Sequence, residues 1–168
     1  MQGYLALILH AHLPFVRHPE FPKFLEENWL FEAIIESYIP LLNVMEGWDR
    51  DGMDARLTMT LSPTLCSMLR DPLLQDRFER HLDELIDLAG KEVYRTHWDK
   101  PFFELAEFYQ RRLVSIRDTY RRHGRDLVGA FASLQDKGKL EIITTAATHA
   151  VLPLLASHPA SIRAQVLV

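Results

Sequence analysis

Residues 4 to 10 read YLALILH, apolar at every position until the final imidazole. A run apolar at consecutive positions carries hydrophobic side chains on both faces of an extended chain, which suits a parallel strand covered on both sides. Parallel strands cannot be joined by a tight turn, so each must be followed by a long crossover. The rest of the chain supplies such crossovers. Phe31, Ile34, Ile35, Tyr38, Leu41, Leu42, Met45 and Trp48 recur at helical spacing and predict a long helix, bent at Pro40 where a backbone hydrogen bond is lost. ARLTMTL, residues 55 to 61, alternates threonine with Leu57, Met59 and Leu61 and predicts a second strand.

Ser62-Pro63 ends that strand and starts a helix, because serine caps free N–H groups and proline fits the first helical position. Asp71-Pro72 repeats the signal before the apolar face of Phe78, Leu82, Leu85, Ile86 and Ala89. Phe102, Leu105, Tyr109, Leu113, Ile116 and Tyr120 define another helix, and Leu127, Val128, Phe131 and Leu134 a shorter one. After a glycine turn, residues 140 to 144 read as a third strand, and Ser157 to Pro159 as the cap of a last helix.

Strand, long helix, strand, helices, strand is an α/β order with right-handed crossovers and a parallel sheet. No repeat or flexible linker divides residues 1–168, so one domain is expected. A β/α barrel needs roughly 200 residues or more. Three strands in 168 residues therefore correspond to the first part of a barrel.

Nineteen basic against 23 acidic side chains leave a net charge of −4, which provides no field for a phosphate backbone; nucleic acid is not an expected partner. The sole cysteine, Cys66, has no partner for an internal disulfide, and the apolar start lacks the basic leader of a secretion signal. With no apolar span of membrane length, a cytoplasmic protein without membrane association is expected. There is no Gly-x-Gly-x-x-Gly, no P-loop and no glycine-flanked serine, so nucleotide binding and serine hydrolysis are not expected either.

Polar residues gather where the strands end: His10 and His12 after the first, Thr60 and Ser62 after the second, then Thr144, Thr145, Thr148 and His149 after the third. Ligands of parallel α/β folds bind beyond the carboxyl ends of the strands, where loops and helix N-termini converge. His10 and His12, two apart on an extended chain, project to one side and could share a metal with His149 as a third ligand. The competing readings are a hydrogen-bonded structural histidine and a pocket wall. Glu26, Glu27, Glu32 and Glu36 read as a solvated helix face, as does His81 on a charged helix. Glu141 lies among apolar neighbours, either paired inside a barrel or at its rim. Phe15, Trp29 and Trp98 could stack on sugar rings, although Leu30 and Phe31 beside Trp29 favour ordinary packing.

LHAHLPFVR, TLSPTL and GKLEIITTAATHAVLPLL, with FEAIIESYIPLL between them, together resemble the amino-terminal part of glycoside hydrolase family 57. The likeness runs in order through the whole chain and is nearest to the family's 1,4-α-glucan branching enzymes. It implies an incomplete seven-stranded β/α barrel, (β/α)7, of which this chain would hold the first three strands and their helices. It also implies retaining chemistry on an α-glucan such as amylose or glycogen, with no required metal or other cofactor. The histidines of the family's first and third motifs line the cleft at the donor sugar and match His10 and His149, with His12 as a neighbour; all three are expected to bind substrate.

The family's catalytic glutamate lies in a WLPE-like motif and its aspartate further on, and neither motif occurs in residues 1–168. No catalytic residue is therefore expected in this chain. By itself it should be inactive, since neither a glycosyl-enzyme nor leaving-group protonation is available. Other activities consistent with the same residues are a family 57 α-amylase or 4-α-glucanotransferase, a metal-dependent hydrolase, and a non-catalytic glucan-binding piece. Oligomeric state is not legible.

Overall fold

The computed structural model describes residue 3 and residues 5–167. Three parallel strands, β1 (Ile8–Ala11), β2 (Leu57–Leu61) and β3 (Leu140–Ile143), form one sheet with β2 in the middle. The parallel α/β order read from the sequence is present. The register pairs His10 with Thr60, Thr58 with Glu141, and Thr60 with Ile143.

In a parallel sheet, paired residues share a face and alternate residues change face. One face carries Leu9, Ala11, Leu57, Met59, Leu140 and Ile142 and packs into the core. The other carries Ile8, His10, Thr58, Thr60, Glu141 and Ile143. On it Ile8 is 66% exposed and Ile143 36%. This corrects the expectation of a first strand from residue 4 covered on both faces. Tyr4 lies outside the described residues, Leu5 and Leu7 are exposed, and pairing begins at Ile8↔Thr58, with the helical core on the opposite face only.

The covered face packs against the helical core. The first crossover contains α1 (Glu27–Ala33), a π turn (Ile34–Tyr38) and α2 (Ile39–Arg50) as a continuous helix. The disturbance expected at Pro40 takes this form: proline has no N–H and its ring crowds the carbonyl four residues earlier, and the wider turn just before it relieves both. Ile39, Leu42 and Met45 on the inner face are fully buried.

The second crossover holds α3 (Pro63–Leu69), α4 (Pro72–Arg95), α5 (Lys100–Arg122) and α6 (Leu127–Asp136). Both expected caps form: Ser62 Oγ accepts from Leu65 N–H at 3.3 Å, and Asp71 Oδ1 from Leu74 N–H at 3.1 Å. α4 and α5 pair as a hairpin through Phe78 and Tyr120, whose rings meet edge to face. After β3 come a short 3-10 turn (Leu152–Leu155) and α7 (Pro159–Val166), which starts after His158 and has no side-chain cap, in place of the cap expected at Ser157. Among the described residues no helix is long and apolar enough to cross a membrane.

One buried ion pair ties the loop after β1 to this frame. Glu27 is 1% and Arg77 7% exposed. Arg77 Nη1 donates to Glu27 Oε1 and, at 3.1 Å, to the His18 carbonyl, while Nη2 donates to the Phe21 carbonyl. Glu27 Oε1 also accepts from His18 N–H at 3.3 Å. Glu27 is thus not on a solvated face, unlike Glu32 and Glu36. His81 is likewise half-buried against the Phe31 ring, and burial lowers its pKa below the ordinary 6.5.

Arg77→Met would leave Glu27 buried without its partner, so we expect a loss of about 3–5 kcal/mol in urea unfolding; a change below about 1 kcal/mol would contradict the role given to this pair. The bare face and the unpaired outer edges of β1 and β3 expose backbone groups and apolar side chains. Concentration-dependent self-association in sedimentation velocity is the expected behaviour, and a monodisperse monomer across the concentration range would oppose it.

Candidate functional site

The site grows from strand register. His10 is the third residue of β1 and stands beside Thr60 on the open face. Thr60 Oγ1 lies 2.5 Å from His10 Nδ1. His12, two residues on, projects to the same side past the strand end. Its Nδ1 lies 2.8 Å from Ser62 Oγ and 3.4 Å from Thr64 Oγ1. Ser62 is fully buried and already accepts from Leu65 N–H, so its hydroxyl proton is free to donate to His12. The residue that caps α3 therefore also orients an imidazole.

His149 arrives from the loop after β3. Its backbone is left-handed, with φ 59°, and its N–H donates to the Ala146 carbonyl at 2.9 Å. That conformation is unusual for a residue with a Cβ, and here it turns the ring back over the strand ends. His149 Nε2 lies 3.1 Å from His10 Nε2. The ring centroids are 4.4 Å apart for His10–His149, 4.6 Å for His12–His149 and 6.1 Å for His10–His12. The structure thus brings together all three histidines singled out from the sequence.

One consistent proton arrangement has Thr60 donating to His10 Nδ1 and His10 Nε2–H donating to His149 Nε2. Burial, followed by the neighbouring His149 and then His10, lowers the pKa of His12 below the ordinary 6.5. A cluster of imidazoles backed by hydroxyls can donate hydrogen bonds to a polar ligand and accept them from it. Among the described residues, the hydrogen-bond partners of these rings are hydroxyls and one another. Among the described residues no group of three or more His, Cys, Asp or Glu side chains is arranged to hold a metal ion.

The other candidates lie elsewhere. Glu141 sits on the open face and accepts from Thr58 Oγ1 at 2.9 Å. Phe15 is 57% exposed in the loop after β1, and Trp29 51% exposed on α1 even though Leu30 and Phe31 beside it are buried, against the packing expected. Trp98 occupies the turn between α4 and α5 and is exposed. Two residues that the sequence did not single out belong to the site's frame. Thr64 is one, legible in hindsight as the second residue of the capped helix. Gln165 is the other; it contacts the loop before His149 from α7.

Residues 6–168 match the model of glycosyl hydrolase family 57. Over 167 residues the chain is 35% identical to a 1,4-alpha-glucan branching enzyme of Thermococcus kodakarensis, covering 99% of this chain and 24% of that protein. The crystal structure of that GH57 branching enzyme, in complex with glucose and additives, superposes with TM-score 0.90 at 32% identity, over 99% of this chain and 30% of that one. The alpha-amylase AmyC from Thermotoga maritima superposes with TM-score 0.91 at 46% identity, over 99% of this chain and 32% of that one. The chain therefore spans about a quarter to a third of these relatives.

The lowered pKa of His12 makes a pH prediction. A base whose folded pKa lies below its unfolded 6.5 binds more protons when unfolded, so its contribution to stability is intact above pH 6.5 and falls away as the pH drops through the lowered value. His12→Asn should flatten the fall in urea stability between pH 7.5 and 5 relative to the parent chain. Parallel pH profiles for the two proteins would show that His12 is not strained by its neighbours.

Proposed function

Because this chain belongs to glycosyl hydrolase family 57, we propose that it is the amino-terminal part of the catalytic domain of a retaining α-glucan enzyme, a cytoplasmic 1,4-α-glucan branching enzyme of glycogen-type metabolism. In this reading β1, β2 and β3 are the first three strands of an incomplete (β/α)7 barrel, and the bare sheet face is the barrel interior. The observation that carries it is the contact between His10 and His149, 139 residues apart in sequence, at the mouth of that interior.

His10, His12 and His149 form one wall of the donor-sugar subsite. Their nitrogens hydrogen-bond sugar hydroxyls, and the threonine and serine hydroxyls behind them hold the rings in place. Imidazole nitrogens suit this task, because a sugar hydroxyl both donates and accepts. The nucleophile and the general acid/base, two carboxylates about 5 Å apart in a retaining enzyme, come from a part of the enzyme outside these 168 residues. This segment alone binds and orients but does not cleave.

Hydrolysis of the α-1,4 bond is the second reading, favoured by the 46% identity with the alpha-amylase structure. The two differ only in the acceptor, a glucan 6-hydroxyl or water. Linkage analysis of amylose treated with the enzyme that contains this segment separates them: new α-1,6 branch points support branching, and reducing ends without branch points support the amylase. In the same enzyme His10→Ala removes one hydrogen bond to the donor sugar. Worth about 1.5 kcal/mol, it should lower kcat/KM about tenfold. Unchanged kcat and KM would remove His10 from the subsite.

A further inference from the structure

The loop that delivers His149 is held by one side chain from the last helix. α7 fully buries none of its own residues, and Ile162 is the one apolar side chain that it half-buries. Its hydrogen bonds to the loop before His149 run through Gln165. The Gln165 side chain accepts from Thr148 N–H through Oε1 at 2.9 Å and donates through Nε2 to Thr148 Oγ1 at 2.8 Å. The Gln165 main-chain carbonyl accepts from Ala147 N–H at 3.0 Å. Ala147 is itself buried, and the next turn bond is His149 N–H to the Ala146 carbonyl at 2.9 Å.

A carboxamide that both donates to and accepts from one residue fixes that residue in orientation as well as in place, as two bonds define a plane where one permits a swivel. Thr148 is the residue immediately before the left-handed His149. A left-handed φ at a residue with a Cβ persists only where the surroundings over-determine it. The clamp on Thr148 from one side and the Ala146 turn from the other supply that constraint.

We propose that Gln165 is a positioning residue: its amide locks Thr148, and through it holds His149 Nε2 against His10 Nε2. The consequence for substrate rests on the sugar-binding reading of these histidines, whereas the geometric consequence does not. With the clamp present the three rings form one surface before any ligand arrives, so no ordering cost falls on binding. Without it His149 relaxes towards right-handed backbone and leaves the cluster.

The test is carried out on the 168-residue chain with histidine-resolved NMR. In Gln165→Ala the His10–His149 ring contact should disappear from NOE spectra, and the titration of His12 should move up towards its ordinary value as the neighbouring His149 ring departs. Gln165→Glu should restore the contact, because a carboxylate can accept from both Thr148 N–H and Thr148 O–H. Thr148→Val, which keeps the side-chain shape but loses the hydroxyl, should weaken the contact without removing it. The melting temperature should change little in all three, because no residue of α7 is fully buried. An unaltered His10–His149 contact and His12 titration in Gln165→Ala would overturn the proposal. Should Gln165→Ala unfold, an unaltered contact in folded Thr148→Val would overturn it. Titration of the parent chain with maltotriose is read separately: if no ring responds, the sugar reading fails while the ring-contact measurement still decides the role of Gln165. If the rings respond, Gln165→Ala should weaken the affinity about tenfold.

Discussion

The parallel placement of β2 between β1 and β3 is the constraint from which the rest follows. Parallel pairing sends all three carboxyl ends to one edge, and register then puts His10 beside Thr60 and leaves His12 within reach of Ser62. An antiparallel β3 would carry His149 to the opposite edge of the sheet. Parallel pairing also forces long crossovers, and those crossovers are the helices that build the core on one face only.

That one-sidedness explains the mixed character of the sheet. Leu57, Met59 and Leu140 meet the helices, whereas on the alternate positions Thr58 bonds to Glu141 and Thr60 to His10. The polar face is therefore consistent with a cleft lining. At its carboxyl end three imidazoles stand together, with hydroxyls as their named partners and no carboxylate among them. Such a set can both donate and accept hydrogen bonds, as the proposed binding of an uncharged, hydroxyl-rich ligand requires. The Glu27–Arg77 pair serves the same end at a distance, by anchoring the loop that follows His12 to α1 and α4.

What could be read from the sequence was what local chemistry decides. Ser62-Pro63 and Asp71-Pro72 start helices because the capping oxygen and the proline lie within four residues of the N–H groups they serve. The strand-end rule located His10, His12 and His149 for a similar reason, since it needs only the order of elements. What escaped was set by partners far away in sequence. Glu27 looks like its solvated neighbours until Arg77, 50 residues on, is seen to bury it. Arg77 itself falls between Leu74 and Phe78 on the apolar face of α4, a sign available in hindsight. The bare face of β1 could not be anticipated from YLALILH, because burial on that face depends on what lies opposite it. Gln165 sits in a helix with no apolar stripe, and nothing in the chain marks it as the partner of Thr148.

The central claim is that the strand ends form one sugar-binding wall from residues far apart in sequence. Ring resonances of His10, His12 and His149, followed while a maltooligosaccharide is added to the chain, test it most directly. The expected result is that all three shift together along one saturable curve, while the ring signals of Trp98 and Tyr94 on the helix hairpin stay still. Static histidine rings at saturating sugar, or a response confined to the hairpin, would contradict it.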